Sequence, residues 1–290
     1  MKTKLLFIVC LLLSQSISLL ANERKTINLS GKGWFLWQDK EADWKNEIPQ
    51  LNYADALQQP IAKPSQGWEV LMSPQAVPVC VPGTAEEYLQ ETPGPEGDIT
   101  GVTWWTRKVD IPSFKKGQKI LLRFSAIRLR AEIFINRQLA DCQVIDNVAF
   151  ETDITKFVKS GETCELAVRI TDAGGNHDWR DSRTIKWNDK MLPPGHGFGG
   201  VTGEVCLKVL PEVHVSDIYM QNTPEVKKVN ANISISNHSS KNEKRDVRIT
   251  LYEWSNPQNV LCSYELKNKV LKPGDNELSV PITADNAKLW

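Results

Sequence analysis

The segment KILLRFSAIRLRAEIFINRQLADCQVI, residues 119–145, holds two runs of β-branched, aliphatic and aromatic residues, ILLRF and AEIFI. Asn136-Arg137-Gln138 follows the second run as a turn signal, so LADCQVI can fold back as a hairpin partner. The same period of two recurs outward along the chain, in CELAVRI, EVCLKVL, VHVSDIYM, NANISISN, VRITLYEW, VLCSYEL and NELSVPI. Turn-forming stretches such as KKG, KSGE and KPGDN separate these runs. Many short strands at this spacing predict an all-β chain of sandwiches and argue against a parallel sheet alternating with helices.

A break near Pro211, where LPEVHVSD opens a new series, divides the chain into residues 22–211 and 212–290. The first length suits a jelly-roll sandwich and the second an immunoglobulin-like one. Five strands are counted from Val213 onward, fewer than the roughly seven an immunoglobulin-type sandwich needs, so the second sandwich is expected to be incomplete.

Composition narrows the function classes. The 290 residues are 41% hydrophobic and 24% charged, as in ordinary globular proteins. Thirty-five basic residues balance thirty-five acidic ones, so there is no net field to gather nucleic acid or anionic lipid. Residues 1–21 run from two lysines through an apolar core to Ala21, the order of a signal peptide, which predicts export to a periplasmic or extracellular space. No stretch is long enough to span a membrane as a helix. Beyond Cys10 five cysteines remain, an odd number at irregular spacing, which excludes a complete disulfide framework. No C-x-x-C pair and no histidine pair at helical spacing occurs, so neither a metal nor another cofactor is expected.

Several stretches, in order, resemble the non-catalytic front of glycoside hydrolase family 2, the family of β-galactosidases, β-glucuronidases and β-mannosidases. They are INLSGKGWFLW, VPVCVPGTAEEYL, GVTWWTRKVDIP, LLRFSAIRLRAEIFINRQ, FETDITKFVKSGETCELAVRITD and GGVTGEVCLKVLPEVHVSDIYM. The resemblance implies a sugar-binding jelly roll, then an immunoglobulin-like domain, then a catalytic barrel. The stretch KLW ending at Trp290 resembles a point inside the second of these, so the resemblance implies that the barrel with its catalytic glutamates lies outside this chain and that the chain is truncated. It departs from the family at Asn136-Arg137, where Asn-Gly is frequent, and after Gly199-Gly200, where Val201 and Thr202 replace an aromatic residue and an arginine. Arg137 must therefore accept positive φ or the turn must lengthen.

Glycoside hydrolysis needs two carboxyl groups flanking one bond, one of them kept protonated. No pair in this sequence is placed for that role, and no catalytic residue is assigned. Asn46-Glu47 imitates the family's Asn-Glu acid/base dipeptide but lies ahead of the sandwich, so Glu47 reads as a surface carboxylate. The long segment from Thr171 to Gly200 reads as an irregular functional loop. In it Trp179 and Trp187 offer faces for a sugar, and Asp178, Arg180 and Asp181 offer hydrogen bonds to hydroxyls; the alternative is a loop packed on a neighbouring domain by its tryptophans. Asp172, at the end of AVRIT, matches by position an aspartate that β-galactosidase-like members direct at the active site, where it helps hold sugar and a cation. The alternative is a cap on the turn into Gly174-Gly175. Trp104 and Trp105, adjacent in a strand, face opposite sides, so one is expected in the core and the other at an interface or a sugar.

Two functions compete. One is the front portion of an exported family 2 hydrolase, partnered by carbohydrate and by its own barrel; the other is a stand-alone secreted carbohydrate-binding or adhesion module.

Overall fold

The computed structural model describes residues 24–47, 53–89, 99–144, 147–173, 185–187, 190–192, 198–253 and 255–287. Its strands run β1 Lys25–Asn28, β2 Gly31–Asp39, β3 Val77–Val81, β4 Gly83–Thr84, β5 Gly101–Asp110, β6 Lys119–Phe124, β7 Arg130–Ile135, β8 Gln138–Val144, β9 Phe150–Asp153 and β10 Thr163–Asp172. There follow β11 Ile185–Trp187, β12 Lys190–Leu192, β13 Gly200–Val201, β14 Val205–Leu210, β15 Val213–Asn222, β16 Lys228–Asn237, β17 Glu243–Glu253, β18 Asn256–Leu271 and β19 Gly274–Thr283. Among the described residues two short α-helices, Tyr53–Ala56 and Ala85–Leu89, and two 3-10 turns, Trp68–Met72 and Thr155–Phe157, interrupt the strands.

Two antiparallel sheets form the first sandwich, one in the order β1-β14-β6-β9 and the other β3-β2-β5-β10-β7-β8. Side chains alternate across each strand. In β10 this sends Leu166, Val168 and Ile170 into the space between the sheets, where they meet Trp34, Trp105, Phe124 and Ile133. The opposite face of the six-stranded sheet carries Trp37, Trp104, Phe134 and Ala167. It is not left to solvent. The chain between β2 and β3 crosses it, and Trp68 stands edge-on to Trp104 and Phe134 with ring centroids 5.5 and 5.3 Å away. Trp104 and Trp105 do face opposite sides, but both are fully buried, as are Trp34 and, nearly, Trp37. Trp105 is thus in the core between the sheets, and Trp104 faces the crossing segment rather than a sugar: that segment builds a second apolar layer that the period-two pattern does not reveal.

The β7–β8 hairpin resolves the choice posed by Asn136-Arg137. Both residues adopt positive φ, 49° and 66°, so the turn stays at two residues. Asn136 fixes it by receiving the Glu165 N–H on Oδ1 at 3.0 Å while its own N–H donates to the Glu165 carbonyl at 2.8 Å. Arg137 reaches Glu69 at 2.9 Å and Glu165 at 3.5 Å. Among the described residues the five cysteines form no disulfide, and burial pushes Cys142 and Cys164 up to about 11.

Five strands follow Leu210, as β15-β16-β19 and β17-β18, around a small core of Ala231, Ile233, Ile235, Val247, Leu271, Val280 and Ile282. Where the two series meet, the rings of His214 and His238 lie 5.2 Å apart. His214 Nδ1 is 2.9 Å from the Pro211 carbonyl, and the His238 N–H donates to the Glu212 carbonyl at 2.9 Å. Burial lowers both imidazoles below their ordinary value. For His214 the partner ring and Arg24 add to this against the Pro211 carbonyl and Glu151, and for His238 Lys119 adds to it against Asp153, Asp275 and Glu212. The unfolded chain therefore takes up protons first as pH falls, so the stability present above about 6.5 is lost as pH drops through the lowered folded values. Urea midpoints are expected to fall between about pH 7.5 and pH 5.5, and less in His214→Gln/His238→Gln. An equal fall in wild type and double variant would assign the loss to other groups.

Candidate functional site

The last residue of β10 is Asp172, opposite Gly101 of β5, at the end of the sandwich core. Its carboxylate is buried, with 7% of the side chain exposed, and Arg128, 2% exposed, stands beside it with Nε 3.8 Å from Oδ2. Arg128 comes from the connection between β6 and β7. Its N–H donates to the Gly200 carbonyl at 3.0 Å and its carbonyl accepts the Gly200 N–H at 2.9 Å, which fixes the start of the side chain. Gly199 lies against the same carboxylate oxygen: a Cβ there would come within 2.6 Å of Asp172 Oδ2. Glycine is required at that position because the carboxylate fills the room a side chain would need. Nε and Nη1 of Arg128 and the Thr171 hydroxyl are buried without a hydrogen-bond partner.

A buried ion pair contributes little net stability, because desolvating two charges costs about as much as their attraction returns. A pair of this kind at a strand end is a functional-site candidate for that reason. The turn into Gly174-Gly175, which the alternative role of Asp172 as a cap concerns, lies outside the described residues.

A second charged cluster lies on the outer face of the six-stranded sheet. Arg130 and Glu132 of β7 and Arg169 of β10 are joined there by Glu47, which reaches Arg169 at 2.7 Å and Arg130 at 3.0 Å. Glu132 bonds Arg130 at 3.2 Å and also Arg169. Burial pulls the Arg169 guanidinium down, but Glu132 and Glu47 outweigh it and hold Arg169 above the ordinary arginine value. The reading of Glu47 as a free surface carboxylate is corrected: only 26% of its side chain is exposed. Each carboxylate in the cluster is engaged by both arginines, so neither is placed to act as a protonated general acid. In a cleft of about 470 Å³ beside Tyr53 and Lys156 the three carboxylates are likewise engaged: Asp141 accepts from Thr152, Gln143 and the Cys142 N–H, Glu151 pairs with Lys208, and Asp153 pairs with Lys119.

Of the other residues expected at the site, Asp178, Trp179, Arg180 and Asp181 lie outside the described residues. Trp187 ends β11 opposite Lys190, so the segment read as irregular contains a short hairpin, Ile185–Trp187 against Lys190–Leu192. Arg128 was not singled out in the sequence. Its only signal there is an arginine two residues before Arg130 in an otherwise apolar alternation, a pattern that looks like solvent-facing positions.

The resemblance implies a cation at Asp172; beside its carboxylate the structure places the Arg128 guanidinium, and no group of three His, Cys, Asp or Glu among the described residues could hold a metal. Among the same residues no helix is long and apolar enough to cross a membrane.

The family model described as glycosyl hydrolases family 2, sugar binding domain, matches residues 29–211. A β-glucuronidase of Formosa agariphila is 22% identical over 68% of this chain and 21% of its own length. A β-galactosidase of Thermoanaerobacter pseudethanolicus is 28% identical over 67% of this chain and 25% of its own. Among solved structures, a putative β-galactosidase from Bacteroides fragilis shares the fold with a TM-score of 0.64 at 16% identity, over 92% of this chain and 36% of that one. The matched regions thus span about a fifth to a quarter of the two curated relatives.

Proposed function

Because the chain belongs to glycoside hydrolase family 2, we propose that it is the non-catalytic N-terminal portion of an exported enzyme that hydrolyses O-glycosyl bonds. Its sandwich braces a catalytic barrel and contributes the Asp172 corner to the sugar pocket. The observation that carries this reading is the buried Asp172–Arg128 pair beside Gly199 and Gly200 at the end of the sandwich core, an arrangement costly to bury. Support also comes from the match to the family's sugar-binding domain and from relatives named β-glucuronidase and β-galactosidase that extend well beyond the matched part.

The chain by itself is expected to bind glycosides weakly and to turn none over. Amide NMR titrated with aryl β-glucuronide, β-galactoside and β-mannoside is expected to move the signals of Asp172, Gly199 and Gly200 with one of the three. Shifts confined to the cleft beside Tyr53 would overturn the placement. Turnover abolished by one internal Asp or Glu substitution would overturn the non-catalytic reading, and tight binding to a polysaccharide surface would favour a free-standing module.

A further inference from the structure

We infer that the outer edge of β15 is a self-association surface, at which two copies of this chain join β15 to β15 antiparallel, about a two-fold axis at Tyr219, into one six-stranded sheet.

Strand β15 pairs with β16 on one side, and among the described residues its other edge pairs with no strand. The Arg24 guanidinium donates to the Val215 carbonyl at 2.7 Å and a bulge at Ser216 follows, so the open stretch runs from Asp217 to Asn222. Natural sheets protect such an edge with lysine, proline or an inward charge. This stretch has a single charge, Asp217, and three large apolar side chains, Ile218, Tyr219 and Met220, that are 58%, 62% and 41% exposed. Two of the three point to the inner face of the sheet. Ile218 lies opposite Ile233 and Met220 opposite Ala231, and both of those β16 residues are buried in the small core. The inner face therefore stays apolar out to its last strand, while its cover stops at β16.

Register identifies the occupant. Residues directly opposite each other in an antiparallel pair share a face, so β15 can pair with itself only where the two inner faces coincide. With Tyr219 opposite the partner's Tyr219, Ile218 meets the partner's Met220 on the inner face, and Asp217 meets the partner's Gln221 on the outer one. Apolar groups then face apolar groups, the carboxylate faces an amide that can donate to it, and no like charges meet. Strand β17, which among the described residues pairs only with β18, is not equivalent: five of its first six residues are charged, the usual protection of an edge. A two-fold contact presents the same patch from both copies and closes on itself, which makes a dimer and not a fibre.

Sedimentation velocity of the full chain tests this. A strand-edge contact is smaller than a standard interface, so the sedimentation coefficient is expected to rise from monomer toward dimer between about 1 and 200 μM. Tyr219→Lys sets two ammonium groups face to face on the axis and is expected to weaken association at least about tenfold. Gln221→Lys places an ammonium opposite the partner's Asp217 and is expected to tighten association about two- to tenfold. Tyr252→Lys, at an exposed tyrosine of β17, is expected to leave it unchanged. A misfolded variant cannot imitate a tighter discrete dimer, so Gln221→Lys keeps the test decisive where Tyr219→Lys fails to fold. A chain that stays monomeric over the whole range would overturn the inference and leave this edge to a different occupant. A dimer that Gln221→Lys weakens, or that Tyr252→Lys disrupts and Tyr219→Lys does not, would overturn it as well.

Discussion

Glu47→Gln is expected to lower the unfolding free energy by about 3 kcal/mol, read as a shift in urea midpoint at constant slope. Glu47 and Glu132 together balance Arg130 and Arg169, and all but Glu47 lie on adjacent strands β7 and β10. Gln keeps the size of the side chain but removes one of two negative charges, leaving two buried guanidiniums to share Glu132. Removing one partner of a buried pair is far costlier than replacing the whole set, because an uncompensated charge stays in a low-dielectric site. The loss should also loosen the crossing segment over the second apolar layer, since Glu47 ties that segment to the sheet. Glu151→Gln is the control. Glu151 pairs with Lys208 and Arg123 in half-exposed contacts, and such pairs are worth at most about 1 kcal/mol. Equal shifts for the two variants would mean that the cluster is solvated and contributes as little as a surface pair.

The difference between these two glutamates marks where sequence reading stops. Alternation along residues 119–145 is a local property of the chain, so the strands, the hairpin and the all-β class could be read from it, and the two-residue turn at Asn136-Arg137 was posed correctly as a choice. The outer layer could not be read, because it depends on which face the crossing segment covers. The sequence places Trp104 on the opposite side from Trp105, but only the position of Trp68 decides that Trp104 is buried. Glu47 precedes Arg169 by 122 residues, so no window along the chain connects them. Asp172 was found by its position at a strand end, whereas its partner Arg128 lies in a run whose period marks it as an ordinary outward residue. Local periodicity reports faces, and a site assembled across faces needs the register.

Asp172→Asn is expected to cost about 3–5 kcal/mol of stability and, where the corner binds sugar, about ten- to hundredfold in affinity for it. A turn cap at a strand end would cost at most about 1 kcal/mol and leave binding unchanged. The larger figure follows from Arg128, which would stay buried with its counter-charge gone. The same reasoning predicts a non-additive pair. In Asp172→Asn/Arg128→Met both charges leave together, so the double variant should regain most of the stability lost by Asp172→Asn, since replacing a whole buried pair is often neutral. Sugar binding should not return with it, because the carboxylate that would accept from the hydroxyls is still missing. Urea unfolding and glycoside titration of the four members of the cycle separate the two roles. Additive stability losses would show that Arg128 and Asp172 do not act as a pair, and sugar binding recovered in the double variant would remove Asp172 from the binding site.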